Sequence, residues 1–470
     1  MSARYIELSD EIIEQISTGK LAQGQRMPSI RKMTRQHSVS ITTALNCYHR
    51  LQEQGWLHSV PQSGFFVSQP LDKSGVPIFP KFKAQVSKPR AAALVPPSQR
   101  GPLFSAQLSP ALIPMAILNR ALVRGNLKSG DTLYQYPDPQ GEMSLRNALA
   151  SHFSQQYFPL ESDNLVITNG CMDAVRTALE ITTRLGDAVA VSSPCFNGLL
   201  SLLENMGRLV VEIPCDQGGL DLLQLEQHMA DQSVTACLLS ANFINPQGIC
   251  LSVQQKKKIA ELATQYSIAV IEDDVFLELS YNQVAPLPIK NWDSDGWVIW
   301  CGSVSKTLAA GYRLGWCDPG RYFQRYLAHR DALSISVNQL AQNAVSEFVT
   351  SGQYIKHLRR LRLALAARAY SYHQLLRENL PAAARISAAE GGLVIWVQIT
   401  GLDSELLLDK CKNQGIHFRI GSEFSSLNLY ADCFRLNIGW AVCDERGSDG
   451  WQKLRQQLID LCALVKETTG

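Results

Sequence analysis

The chain has 470 residues, more than one ordinary core accommodates, so at least two domains are expected. Apolar residues make up 46% and charged residues 18%, which excludes a disordered or fibrous chain. The formal net charge of +2 predicts no partner by itself, so any electrostatic signal has to be local. The 12 cysteines are scattered without a CxxC pair and read as reduced, buried thiols rather than zinc ligands or disulfides. The first residues carry acids and no apolar signal-peptide core, and no run of 18 apolar residues occurs, so a cytoplasmic chain without a membrane span is expected.

At the N-terminus, Tyr5, Leu8, Ile12 and Ile16 recur at helical spacing, and Gly19 and Gly24 close that helix. Pro28 and Ser29 open a short helix with Ser29 as its cap, and Ser40 caps the next. That helix, roughly residues 41–54, places Ile41, Ala44, Leu45, Tyr48 and Leu51 on one face, with Thr42, Thr43, Asn46, His49 and Arg50 on the other. Two helices, a short turn and an amphipathic second helix form the helix-turn-helix plan. WLHSV-PQSG-FFVS then reads as a two-stranded wing with Gly64 at its tip. From Lys20 to Arg50 there are six cations and no acid, the local footprint of a double-stranded DNA operator. Arg26, Ser29, Arg31, Thr42, Thr43, Asn46, Arg50 and Gly64 are the expected DNA-facing residues. The alternative is a helical dimerisation module with a solvated basic face. His37, His49 and His58 lack metal-ligand spacing, and no metal site is expected.

Residues 71–105 hold prolines 77, 80, 89, 96, 97 and 102, and six cations against the single acid Asp72. Proline blocks helix and central strand, so an extended, poorly packed linker is expected, with a reach on the order of 100 Å.

From residue 106 onward, apolar runs alternate with helical patterns, the signature of an α/β domain. Buried strands are expected at Leu165–Thr168, Ala188–Ser192, Ala236–Leu239, Ala269–Ile271 and Trp297–Cys301, with chemical motifs at their ends. In GSVSKTLAAGYRLGW, a strand delivers Lys306 to a turn where its amine can be desolvated for Schiff-base chemistry. Ser303, Ser305 and Arg313 are suited to hold a phosphate beside it. In LVITNGCMDAV, a strand runs through Gly170 into a helix whose Cys171 and Met172 N–H groups face an anion. Asp273 is placed to keep a pyridine nitrogen protonated, Asn245 to donate to a phenolic oxygen and Phe196 to stack on a ring.

These residues resemble a known family. Residues 106–470 resemble the fold-type-I, aspartate-aminotransferase-like enzymes. Residues 4–68 resemble the GntR winged helix, with G-x-R-x-PS-x-R at Gly24–Arg31. The combination resembles the MocR-like branch of GntR transcription regulators. The resemblance implies a multidomain chain: a winged helix-turn-helix over 1–70, mainly α with a β wing; a basic, Pro-rich linker over 71–105; and a large α/β domain over 106–470 that binds pyridoxal 5′-phosphate.

It further implies Lys306 as the Schiff-base lysine with Asp273 as its catalytic companion. It puts Gly170, Cys171, Met172, Phe196, Asn245, Phe276, Ser303, Ser305 and Arg313 around the cofactor. Arg435, in FRLNIG, matches the arginine that clamps a substrate carboxylate. Tyr136 matches a tyrosine lent to the phosphate site by the other subunit of a homodimer, often head-to-tail. Three positions depart from the pattern. Val275 and Phe276 stand where a tyrosine hydroxyl is usual, which weakens turnover more than binding, and Ile41 replaces a frequent arginine. The expected function is a DNA-binding regulator that senses an amino compound or pyridoxal phosphate. The alternatives are a working aminotransferase carrying a DNA-binding domain, and a regulator with a purely structural large domain.

Overall fold

The computed structural model describes residues 4–17, 20–21, 25–53, 56–60, 64–67, 75–92, 94–129, 134–281, 285–444 and 450–469. Gly19, Gly24, the wing turn 61–63 and linker residues 71–74 lie outside this set. The chain divides into two compact units: Met1–Val76 with Tyr281–Val284, and Pro77–Ser280 with Ala285–Gly470.

The first unit contains α1 (Arg4–Ser17), α2 (Ile30–His37), α3 (Ile41–Glu53), β1 (Leu57–Val60) and β2 (Gly64–Val67). Ser29 Oγ caps α2 by accepting from the Lys32 N–H. The chain leaves α2 through Ser38 in the left-handed conformation (φ 51°), and Ser40 Oγ accepts from Thr43 N–H at 3.0 Å to start α3. Leu8, Ile12, Met27, Met33, Ala44, Cys47, Tyr48, Leu51, Leu57 and Val67 form its core. Tyr48 adds a hydrogen bond of 2.8 Å to the Pro28 carbonyl and an edge contact with Phe65. β1 and β2 pair antiparallel, His58 opposite Phe66.

The apolar face expected on α3 needs correction. Ala44, Cys47, Tyr48 and Leu51 point inward, whereas Ile41 is 62% exposed and Leu45 38% exposed. Ile41 is the first residue of α3, ahead of its buried stretch, and Leu45 lies about 100° round the helix from Ala44.

The second unit opens with β3 (Val86–Ser87), α4 (Met115–Ser129), α5 (Met143–Gln156), β4 (Val166–Thr168) and α6 (Cys171–Thr182). Next come β5 (Ala188–Ser193), α7 (Asn197–Asn205), β6 (Leu209–Asp216), β7 (Gly219–Leu220), α8 (Leu222–Ala230), β8 (Ala236–Leu239), α9 (Val253–Tyr266), β9 (Ala269–Asp273), β10 (Val298–Ser303) and β11 (Gly315–Asp318). It closes with α10 (Phe323–Ser334), α11 (Gln339–Thr350), α12 (Gln353–Asn379), β12 (Arg385–Ile386), β13 (Val394–Gln398), α13 (Ser404–Lys412), β14 (Arg419–Ile420), β15 (Cys433–Asn437) and α14 (Trp451–Thr469).

The main sheet runs β3-β6-β5-β8-β9-β10-β11-β4, with β7 paired to β6. β6, β5, β8, β9 and β10 are parallel, while β11 is antiparallel to both its neighbours, so β4 points the same way as β10. Successive side chains enter opposite layers. Ala190, Cys237, Val270 and Val298 pack with Leu225, Ile259 and Leu262. Val191, Leu238, Ile271 and Ile299 pack with Val175, Leu179, Leu199 and Leu203. Each buried Val, Leu or Ile among them contributes about 1.5–3 kcal/mol, and two covered faces explain the unbroken apolar runs. A second sheet, β12-β13-β15-β14, is wholly antiparallel.

The described part of the Pro-rich stretch is extended but not poorly packed. Val86 and Ser87 pair with Val211 and Val210 at the sheet edge. Ala84 N–H donates to Gln224 Oε1 at 2.6 Å, and Phe79 packs edge-on against Tyr430. Leu103 and Phe104 are buried. Proline forbids helix and central strand but leaves a segment free to line an edge.

A buried polar chain steadies the end of β9. Asp274 accepts from Trp300 Nε1 and Asn242 Nδ2, both at 2.9 Å, and Asn242 Oδ1 accepts from Lys256 Nζ at 2.6 Å. Burial, then the nearby Glu272, pushes the Asp274 carboxyl well above its ordinary value. Replacing Asp274 with Ala strands two buried donors, so the variant should lose about 3 kcal/mol in urea denaturation. An unchanged midpoint and slope would show that the chain is not needed.

Candidate functional site

The ends of β4, β5, β8, β9 and β10 carry the motif residues to one edge of the main sheet. There a cavity of about 250 Å³ is lined by Cys171, Met172, Phe196, Asn245, Asp273, Phe276, Ser303, Ser305, Lys306, Arg313 and Arg435. Phe104, Ser105, Ala106, Asn197, Ser240, Val275 and Arg419 complete the wall. A larger cavity of about 410 Å³, near Trp440 and Trp451, contains none of the motif residues and a single cation, Lys453.

β10 hands the chain to the turn that bears Lys306. Ser303 Oγ donates to the Leu314 carbonyl at 2.8 Å and accepts from the Ser305 N–H at 3.1 Å, while the two hydroxyls meet at 2.8 Å. Lys306 Nζ donates to the Ala106 carbonyl at 2.7 Å. Burial, then the charge of Arg435, lowers its amine to about 8, and Asp273 opposes the shift. About one amine in ten is then neutral at pH 7, against fewer than about one in a thousand for an ordinary lysine.

Asp273 closes β9, in register with Cys301 of β10. Burial raises its carboxyl, while a hydrogen bond from Cys171 Sγ at 3.2 Å holds the charge in place. The Cys171 thiol is itself driven well up by burial and by Asp273, so it stays protonated and donates.

Gly170 (φ 89°) starts α6 without a side-chain cap, which leaves the helix's first N–H groups at the cavity edge. A methyl at Gly170 would come within 2.9 Å of Arg313 Nη2, so glycine is what allows that guanidinium to lie against the helix start. Arg313, itself left-handed at φ 49°, donates to the Asn169 carbonyl at 3.1 Å. Gly198 plays a similar part for Phe196, whose ring would sit 2.6 Å from a Cβ there.

Arg435 comes from the second sheet and is only 2% exposed. It donates to Asn245 Oδ1 at 3.4 Å and to the Phe104 carbonyl, while its Nε has no partner among the described residues. With the Asn245 oxygen turned toward Arg435, the amide NH₂ is left for another acceptor. Burial and then Arg419 pull Arg435 down to about 9, so it stays charged at neutral pH.

Three expected residues stand apart. Gly170 flanks the cavity without lining it. Tyr136 is 84% exposed and outside the cavity of its own chain. Arg50 is corrected as a free DNA contact: it donates to the Ile6 carbonyl at 2.9 Å and pairs with Asp10 at 3.0 Å, because its side of α3 faces α1. Arg26, Ser29, Arg31, Thr42, Asn46 and Gly64 are exposed, and Thr43 is half-buried beside Ser40.

The aminotransferase class I and II family model matches residues 108–448, and the model for bacterial regulatory proteins of the gntR family matches residues 4–67. YdcR of Escherichia coli, named an uncharacterized HTH-type transcriptional regulator, is 31% identical over 93% of this chain and 95% of its own length. The chain belongs to the MocR-like GntR regulators.

The similarly named YjiR of E. coli is 30% identical over 92% of the regulator and 94% of its own length. Among solved structures, the kynurenine aminotransferase of Pyrococcus horikoshii, in complex with PMP, is 25% identical. Its TM-score is 0.71 over 79% of the regulator and 92% of that chain. The multiple substrate aminotransferase of Thermococcus profundus (23% identical, TM-score 0.70, 78% and 91% covered) shares the fold.

The regulator's Lys306 should react as its neutral form does. Reductive methylation by a small aldehyde, read from the mass of the Lys306 peptide, should rise with pH, reach half-maximum near pH 8 and then level off. Arg435→Met removes a charge that opposes protonation, so the half-point should move to higher pH. A half-point near that of ordinary lysines in the parent protein would contradict the desolvated site.

Proposed function

We propose that this DNA-binding transcription regulator holds pyridoxal 5′-phosphate on Lys306 and takes an amino compound at Arg435. The donor set supports the fit. A lysine amine lowered to about 8 stands with a buried carboxylate at Asp273, an arginine and two serine hydroxyls at Arg313, Ser303 and Ser305, and uncapped N–H groups at Cys171 and Met172. Bound there, the cofactor supplies an aldehyde that captures amines and a ring that accepts electrons. Asp273 would hold a proton on the ring nitrogen, the Asn245 amide would meet the ring oxygen and Phe196 would cover the ring face. Arg435, buried and without a carboxylate partner in its hydrogen bonds, suits the carboxylate of an amino acid.

The sensing role rests on one observation. Lys306 and Arg435, the two groups such ligands engage, both donate to carbonyls of one short stretch, Ala106 and Phe104. A carboxylate at Arg435 competes with the Phe104 carbonyl, and that stretch continues along the chain through β3 to the N-terminal domain. Val275 and Phe276 line the cavity, and no tyrosine lines it among the described residues, which favours binding over rapid transamination. The protein would act in the cytoplasm as a homodimer, with Tyr136 serving the partner's phosphate site. Exposed apolar residues Met115, Val123 and Leu127 on α4 and Met143 on α5 offer surface for the second copy.

Borohydride treatment of protein loaded with pyridoxal phosphate should place a pyridoxyl group on the Lys306 peptide and on no other, and Lys306→Ala should lose it. An unlabelled Lys306 peptide at saturating cofactor would overturn the assignment. On the DNA side, Arg31→Ala should reduce the slope of log affinity against log salt by about one, measured on a fragment selected by the full-length protein. Arg50→Ala should leave that slope unchanged, because its charge is spent on Asp10.

A further inference from the structure

Arg419 plays no part in the reading so far, yet it lines the same cavity as Arg435. It stands on β14 directly opposite Arg435 on β15, and cross-strand partners project from the same face of a sheet. Its guanidinium carbon lies over the Phe104 ring, 4.0 Å from the ring centre. Glu423 takes Nη1 at 2.9 Å, while Nε and Nη2 have no hydrogen-bond partner among the described residues. Among the described residues the lining carries four cations, Lys306, Arg313, Arg419 and Arg435, against one acid, Asp273.

The proposed cofactor accounts for part of this excess. Its phosphate suits Arg313 and its aldehyde suits Lys306. One α-carboxylate suits Arg435. A ligand with a neutral side chain leaves the free edge of Arg419 without an acceptor in a confined space, which is costly for a charged donor.

We propose that Arg419 reads a second anionic group, so the amino compound this cavity selects is an α-amino acid with an acidic side chain. This rests on the cofactor reading above. The short separation across a strand pair suits a side chain of two or three carbons between the α-carbon and the second carboxylate. Glu423 is the counter-ion that holds Arg419 in place and weakens its pull on the ligand.

The test uses full-length protein loaded with pyridoxal phosphate. Its visible absorption is titrated with L-glutamate and L-2-aminoadipate, and with L-glutamine and L-norleucine as neutral counterparts. The shift in thermal midpoint gives a second readout. The parent should bind glutamate about tenfold or more tightly than glutamine. Arg419→Gln should erase that preference while keeping the weak binding of glutamine, and Glu423→Gln should keep or strengthen the preference. If the loaded protein shows its absorption band but responds equally to glutamate and glutamine, or to neither, the Arg419 assignment falls and the cofactor reading stands. If both variants lose both ligands together, Arg419 and Glu423 form a structural pair and the assignment falls. Protein that takes up no pyridoxal phosphate overturns both readings.

Discussion

The large domain depends on keeping one amine dry. Lys306 sits where β10 ends, partly buried in the cavity wall, and its proton is disfavoured first by burial and then by Arg435. Only Asp273, on the neighbouring strand, pulls the other way with a full charge. Two parallel strands in register bring this about, since pairing Cys301 with Asp273 sets the height at which both side chains leave the sheet. The glycine at 170 and the left-handed Arg313 then let a cation lie over a helix start without a methyl group between them. Large aliphatic layers on both sides of the sheet keep these ends rigid, so the chemistry is carried by elements that cannot relax toward water.

Much of this was legible in the sequence. Strands buried on both faces read as unbroken apolar runs, and the turn after each carries the polar residues, so Cys171, Met172, Asp273, Ser303, Ser305 and Lys306 follow from position, whereas Phe276 follows only from the family resemblance. The cap at Ser29 and the start at Ser40 are equally plain, because a hydroxyl directly ahead of a helical pattern is the residue type that accepts from the free N–H groups of its first turn.

What the sequence hid was hidden for physical reasons. Helical periodicity fixes a stripe but not where the partner helix ends, so Ile41 and Leu45 looked buried and are exposed. A cation count cannot see that Arg50 is held by Asp10 across two helices. Proline content marks a segment as extended without saying whether it floats or packs, and here Val86–Ser87 pair at the sheet edge while Ala84 is held by Gln224. Arg419 sits in an alternating strand pattern that any two-residue strand could show, and only the pairing with Arg435 reveals that two guanidinium groups share one cavity.

The stretch from Pro102 to Ser109 is where these threads meet. Asn437 holds it at the Pro102 and Gln107 carbonyls, Asn437 N–H binds Leu103, and Ser109 N–H binds Gly439. Against that fixed frame, the carbonyls of Phe104 and Ala106 are the acceptors that Arg435 and Lys306 use. A ligand regulates a protein only to the extent that it binds one arrangement better than another. On the proposed sensing role the arrangements would differ in a definite way: each of the two cations donates to the backbone of this stretch here, and would donate to an incoming group instead. The affinity of a ligand for the cavity would then be reduced by the strength of those two backbone bonds. By reciprocity, binding would pass the same free energy to the segment that leads along the chain to the DNA-binding domain.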